Sequence, residues 1–234
     1  ALEQASREID AWGRRPFYVA RAARVFDVVD RRLVLTDDLL SAETVEADSE
    51  LDGTYDGEIW GMSDYLLEPA NGFPKLWLSP SPWGTKGLPA EARQYLRITG
   101  TWGYGDGERA APWDMLEATG TLGATGTALT MSAADAVSVG QTLRIGSEQV
   151  YVLAVDGTAV TVRRGVNGTT AAAAGAGSAV STAAVPRNVM YAALVLAGER
   201  WRTAGSEHLI HEMQGDYQFR KFESRDYDVR MSRM

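Results

Sequence analysis

Between about Met115 and Ala184 the chain changes character. These residues are mostly Ala, Gly, Thr and Val, with four acidic and three basic residues and no Trp or Phe, a shift that marks an insert within a chain of different make-up. Inside it, Leu129 and Met131, Leu143 and Ile145, the run Gln149 to Val155, and Val160 and Val162 alternate as half-buried strands do. Asp156-Gly157 between two such runs is a hairpin dipeptide. The pattern predicts a small all-β module.

The flanks carry the large side chains. At 234 residues the chain is long enough for one large core or two smaller ones, and 45% hydrophobic with 23% charged residues is ordinary globular composition. It contains no cysteine, which excludes disulfides, thiolate metal sites and thiol nucleophiles and leaves stability to packing or assembly. The longest apolar run, Val189 to Gly198, is too short to span a bilayer, so no membrane partner is expected, and no basic-then-apolar leader opens the chain. A formal net charge of −8 supplies no global basic field for nucleic acid, so any DNA partner is passed by and not gripped.

The opening residues place Leu2, Ala5, Ile9 and Trp12 on one helical stripe, with Gly13 as the stop. The absence of a capping residue and of an initiator Met leads us to expect that the natural helix, or a preceding segment, extends upstream of Ala1. Arg24 to Asp30 and Arg32 to Leu35 read as a hairpin turning at Asp30-Arg31. Tyr95 to Trp102 alternates as a strand and runs into a glycine-rich loop, Gly103 to Glu108. Pro186 suits the first turn of a second core helix, Val189 to Trp201, which is apolar nearly all round. The fold class expected is α+β: a small helical core with antiparallel strands, formed by residues 1–114 and 185–234, plus the inserted all-β module of residues 115–184.

No catalytic constellation emerges, so no enzyme, cofactor or metal is expected. Gly103-x-Gly105-x-Gly107 has the wrong spacing for a phosphate loop and is followed by Pro and Trp. Asp48-x-Glu50-x-Asp52-Gly53 resembles the start of a calcium loop, but its twelfth position is Ile59. His208 and His211 lack the spacing of a zinc helix, and Asn167-Gly168-Thr169 reads as a turn before it reads as a glycosylation sequon. The seven tryptophans are assigned mainly to core and subunit contacts.

Two further segments stand apart. The C-terminal arm alternates apolar and aromatic residues with charges and lacks an evident partner, so Tyr217, Phe219, Phe222, Tyr227, Val229 and Met231 are candidate partner-binding residues. From Leu33 to Pro74 there are eleven acidic residues and no Lys or Arg. That run holds Asp37, Asp38, Glu43, Glu46, Asp48, Glu50, Asp52, Asp56 and Glu58. Taken alone, these nine read as an outward solubilising face.

Three segments together resemble the head-tail connector (adaptor) proteins of tailed bacteriophages. They are Ala1 to Tyr18, with Ala-Ser-x-x-Ile-Asp and Gly-Arg-Arg-Pro-Phe-Tyr; Leu96 to Tyr104; and Val185-Pro186-Arg187-Asn188-Val189 through Arg200-Trp201. In the family pattern the second and third lie close together, whereas here the insert separates them. The insert itself, in Val139 to Ile145 and Val162 to Ala171, is similar to a small β module of phage tail and baseplate proteins. The resemblance implies a structural virion protein, a dodecameric homo-oligomeric ring binding the portal and a tail or head-completion protein. DNA would cross the channel without specific binding during genome ejection, and Asp37, Asp38, Glu43, Glu46, Asp48, Glu50, Asp52, Asp56 and Glu58 would then be candidates to line that channel and repel the duplex, as against an outward face. The implied location is the head-tail interface of the virion, and the host cytoplasm during assembly. The alternative is a phage tail or surface module that recognises carbohydrate through the β insert.

Overall fold

A computed structural model describes residues 2–55, 58–203, 213–214 and 217–218. Their order is α1 (Leu2–Gly13), β1 (Ala20–Val28), β2 (Val34–Ala47), β3 (Glu58–Ile59), β4 (Tyr65–Glu68), β5 (Lys75–Pro80), β6 (Ala92–Trp102), β7 (Trp113–Leu122), β8 (Ala128–Met131), β9 (Thr142–Ile145), β10 (Glu148–Asp156), β11 (Ala159–Arg163), β12 (Ala174–Ala183), α2 (Arg187–Thr203), β13 (Met213–Gln214) and β14 (Tyr217–Gln218).

The expected helical core is not formed. The protein is mostly β, 46% strand against 15% helix, and every buried residue of its two hydrophobic clusters lies on a strand or a connecting loop. One cluster gathers Leu39, Val45, Leu78, Leu96, Ile98 and Trp102 beneath an antiparallel sheet ordered β1-β6-β2-β5-β4, with β3 added to β2. The second fills a closed barrel ordered β10-β11-β8-β7-β12-β9. Part of this strand content is concealed locally in β2. Its register against β6 shifts between Leu39 and Ser41 and again between Ala42 and Thr44. These bulges place Leu39 and Leu40, consecutive residues, both in buried positions, so the period of two that announces a strand is broken in the sequence.

The expected Asp30-Arg31 hairpin is also replaced. Only an isolated Asp30–Leu33 bridge joins the two segments, because β6 pairs with β1 on one side and β2 on the other. The central place suits β6, whose Leu96, Ile98 and Trp102 are fully buried, while β1 has the half-exposed alternation of an edge.

The barrel begins and ends at neighbouring points. Trp113 pairs with Ala183, and the Ala184 N–H donates to Pro112 O at 2.9 Å, so a long insertion leaves its entry and exit side by side. Leu129, Leu143, Val150, Val152, Val160, Val162 and Val180, all fully buried, pack its interior. The 3-10 turn Val166–Gly168 docks on β1. Gly168, at φ 78°, comes so near that a Cβ there would lie 2.0 Å from Arg21 O.

α1 packs against α2 through Ala5, Ile9 and Ala197, the buried helical residues, and Arg200 pairs with Glu8. α1 ends in a Schellman turn: the Arg15 N–H donates to Asp10 O at 3.1 Å and Arg14 N–H to Ala11 O at 3.3 Å. The left-handed residue is Arg14, at φ 50°, one beyond the glycine expected to stop the helix.

Candidate assembly surfaces

The acidic segment is largely β2 and the loop after it, and most of its carboxylates have partners in the fold. Asp37 meets Arg24 at 2.6 Å, Glu43 meets Arg21 at 2.6 Å, Glu46 meets Arg97 at 2.9 Å, and Glu58 meets Lys86 at 2.9 Å. The first three arginines lie on β1 and β6, strands that flank β2 or sit one place beyond, which explains why the segment itself can do without a basic residue. The Arg21 hydrogen bonds hold the Glu43 carboxyl below its ordinary range.

Asp48 is buried and uses its carboxylate inward, accepting the N–H groups of Asp52 at 3.2 Å and Gly53 at 2.8 Å. Asp52 in turn accepts from the N–H and hydroxyl of Thr54 at 2.9 and 2.7 Å. Glu50 is exposed on the same loop, and Asp56 lies outside the described residues. The calcium-loop reading of this segment therefore resolves into turn capping. No cluster of three or more His, Asp or Glu side chains suited to a metal occurs among the described residues.

Asp38 differs from its neighbours. It is buried with Oδ2 3.4 Å from Arg15 Nε and without a hydrogen-bond partner, and burial pushes its carboxyl above the usual range, opposed by Arg15. It sits at the joint between α1 and the sheet. There the Phe17 N–H donates to Asp10 Oδ1 at 3.1 Å, the Tyr104 N–H donates to Pro16 O at 2.9 Å, and Phe17 meets Tyr104 edge-on at 5.5 Å. Burial also raises Asp10, against the pull of the Phe17 N–H and Arg7. A surface hollow of about 350 Å³ opens beside this joint, lined by Arg7, Asp10, Ala11, Arg14, Arg15, Pro16 and Tyr18. The glycine loop serves the same joint: Gly103, at φ 133°, fits where a Cβ would lie 2.1 Å from Tyr18 O.

Two apolar surfaces are left open. On α2 the stripe Met190, Tyr191, Leu194, Val195 and Trp201 is exposed, Trp201 by 78%, although the sequence reads this helix as packed on several sides. The second is made by Ile59, Met62 (87% exposed) and Trp83 (81% exposed). Their loops touch: the Ser81 N–H donates to Asp64 O at 2.8 Å and Thr85 N–H to Asp64 Oδ1 at 3.1 Å. Of the tryptophans assigned to core and subunit contacts, Trp60 and Trp102 are buried, whereas Trp12, Trp83 and Trp201 face outward. Met62 and Trp83 sit in short loops without periodicity, so nothing in the residue pattern marks them as one surface.

The barrel carries a closed ionic lock. Glu148, with no exposed surface, accepts from Arg164 Nε and Nη2 at 2.7 Å each and from the N–H groups of Gly165 and Ala172 at 2.9 Å each. Arg164 also donates to the carbonyls of Gly123 and Gly126 at 2.7 Å and of Ala172 at 2.8 Å. Burial raises the Glu148 carboxyl, but Arg164 and the two backbone donors outweigh it and hold it below the ordinary value. Every oxygen and guanidinium nitrogen is engaged, which marks the pair as structural. Asn167 donates to Gln149 Oε1 at 2.9 Å within the turn on β1, in keeping with the turn reading of Asn167-Gly168-Thr169.

Of the arm residues expected to bind a partner, Tyr217 is placed only through its backbone, on β14 opposite Gln214. Phe219, Phe222, Tyr227, Val229 and Met231, with His208 and His211, lie outside the described residues. No family model, curated protein or solved structure matches the chain in comparisons of its sequence and fold.

Proposed function

We propose that the protein is a structural component of a tailed-phage particle, a ring joining the portal to a tail or head-completion protein and letting DNA pass through its channel. The supporting observation is that the three segments resembling the connector family, far apart in the chain, meet at one end of the sheet. Residues 1–18 contribute α1 and the joint, Tyr104 after β6 closes on Pro16 and Phe17, and α2 lies along α1. The barrel is then an insertion carried outside this shared unit, entered and left at the paired residues Trp113 and Ala183. Its interior is packed with aliphatic side chains, which favours a spacer over a ligand-binding cup and so weighs against the carbohydrate alternative.

In this reading the arm from Gly215 to Met234 attaches each subunit to a neighbour or to the portal. The acidic segment borders the lumen, and its repulsive field comes mainly from Glu50 and Asp52, because Asp37, Asp38, Glu43, Glu46 and Glu58 face basic partners and Asp48 is buried in its own turn.

Negative-stain imaging and native mass measurement of the full chain, alone and with portal protein, test the proposal. A ring is expected in at least one sample, and monomers in both would refute it. Replacing Glu50 and Asp52 by Lys should create salt-sensitive DNA binding and impair ejection while leaving assembly intact. Normal ejection by that variant would overturn the channel assignment.

A further inference from the structure

The two open apolar surfaces lie at opposite ends of the sheet. Along β6, Trp102 stands at the helical end, opposite Ala20 and Leu39, whereas Leu96 stands opposite Ala47, the residue that pairs with Glu58 beside Ile59. Six residues of extended strand separate the two ends by roughly 20 Å.

Each surface presents on the order of 500 Å² of apolar area, given about 150–250 Å² for a large aromatic side chain alone. That is near the upper end of what a monomer leaves open and approaches the roughly 800 Å² per partner of a standard interface. Their charges are complementary. Residues 2–15 and 185–203 hold six arginines against four carboxylates, while residues 48–68 and 81–88, which carry Ile59, Met62 and Trp83, hold seven carboxylates against the one base Lys86. A two-fold dimer through α2 would bring like charges together and leave Ile59, Met62 and Trp83 in water. A head-to-tail contact covers both surfaces and pairs the charges.

We propose that the α2 stripe of one copy docks on the Ile59–Met62–Trp83 surface of the next copy, as the repeating contact between subunits. The proposal rests on the ring reading for closure, and on the two surfaces alone for the pairing.

The chain contains no cysteine, so single-cysteine variants of the full protein report contacts without background. Leu194→Cys and Met62→Cys replace exposed side chains, and their distance within one copy forbids an internal bridge, which needs Cα atoms about 4.4–6.8 Å apart. Mixed and mildly oxidised, L194C and M62C should cross-link at least tenfold more than L194C with V139C, a control on the exposed barrel surface. The double variant should lock into covalent oligomers of the native mass.

Cross-linking of L194C to itself in preference to M62C, or equal yields with the control, would overturn the docking. If imaging shows rings in that case, the ring reading survives without this contact. If L194C and M62C link within open filaments, the docking stands and the ring reading falls.

Discussion

Arg164→Ala removes one half of a lock whose other half cannot leave. Glu148 would remain fully buried with the N–H groups of Gly165 and Ala172 as its sole donors, and the carbonyls of Gly123 and Gly126 would lose theirs. Breaking a buried pair from one side costs about 3–5 kcal/mol, and the partners here have side-chain exposures of 0% and 9%, so solvent offers little relief. At about 4–8 °C per kcal/mol for a unit of 60–100 residues, the barrel transition should fall by at least roughly 12 °C. The assay is thermal unfolding by circular dichroism, paired with amide exchange of residues 142–183 to locate the loss in the barrel. Acid adds a sign. Because the Glu148 carboxyl is depressed in the folded state, its contribution is present above the unfolded value of 4.5 and lost as pH falls through the folded one. The wild-type barrel should therefore weaken over that acid range, and R164A should lose this dependence. A loss below about 1 kcal/mol with local exchange unchanged would refute the reading of the pair as a structural lock.

Replacing residues 114–182 by a short Gly/Ser bridge should leave a cooperatively melting sheet with its helices, because Trp113 and Ala183 are already paired; an insoluble or molten product would show that the sheet needs the barrel. Arg14→Gly should stabilise the α1 joint by about 0.5–1 kcal/mol in urea unfolding, since Arg14 is exposed and held at φ 50°. Asp38→Asn should be neutral or stabilising at pH 7. The raised folded-state pKa of Asp38 means that wild-type stability from this group rises as pH falls toward 3.8, and melts of D38N across that range should lack the rise.

The amino-acid pattern by itself determined the parts whose side chains obey a simple period. Leu129 and Met131, Leu143 and Ile145, and Val160 and Val162 are buried strand residues in the barrel, as their alternation requires, and Gly157 at φ 56° turns the hairpin foreseen at Asp156-Gly157. Both helices also announce themselves. What tertiary structure alone decided is which apolar residues are covered. Burial depends on what lies opposite, so the apolar girth of α2 is the same whether it enters a core or waits for a neighbour, and a single buried residue, Ala197, tells which. The same holds for charge. The run from Leu33 to Pro74 reads as unrelieved acid, yet cross-strand pairing brings Arg21, Arg24 and Arg97 to it from β1 and β6, contacts set by a strand order that local sequence does not encode. The bulges in β2 hid a fourteen-residue strand for a related reason: they satisfy the ladder at β6 by breaking the period that would have revealed it.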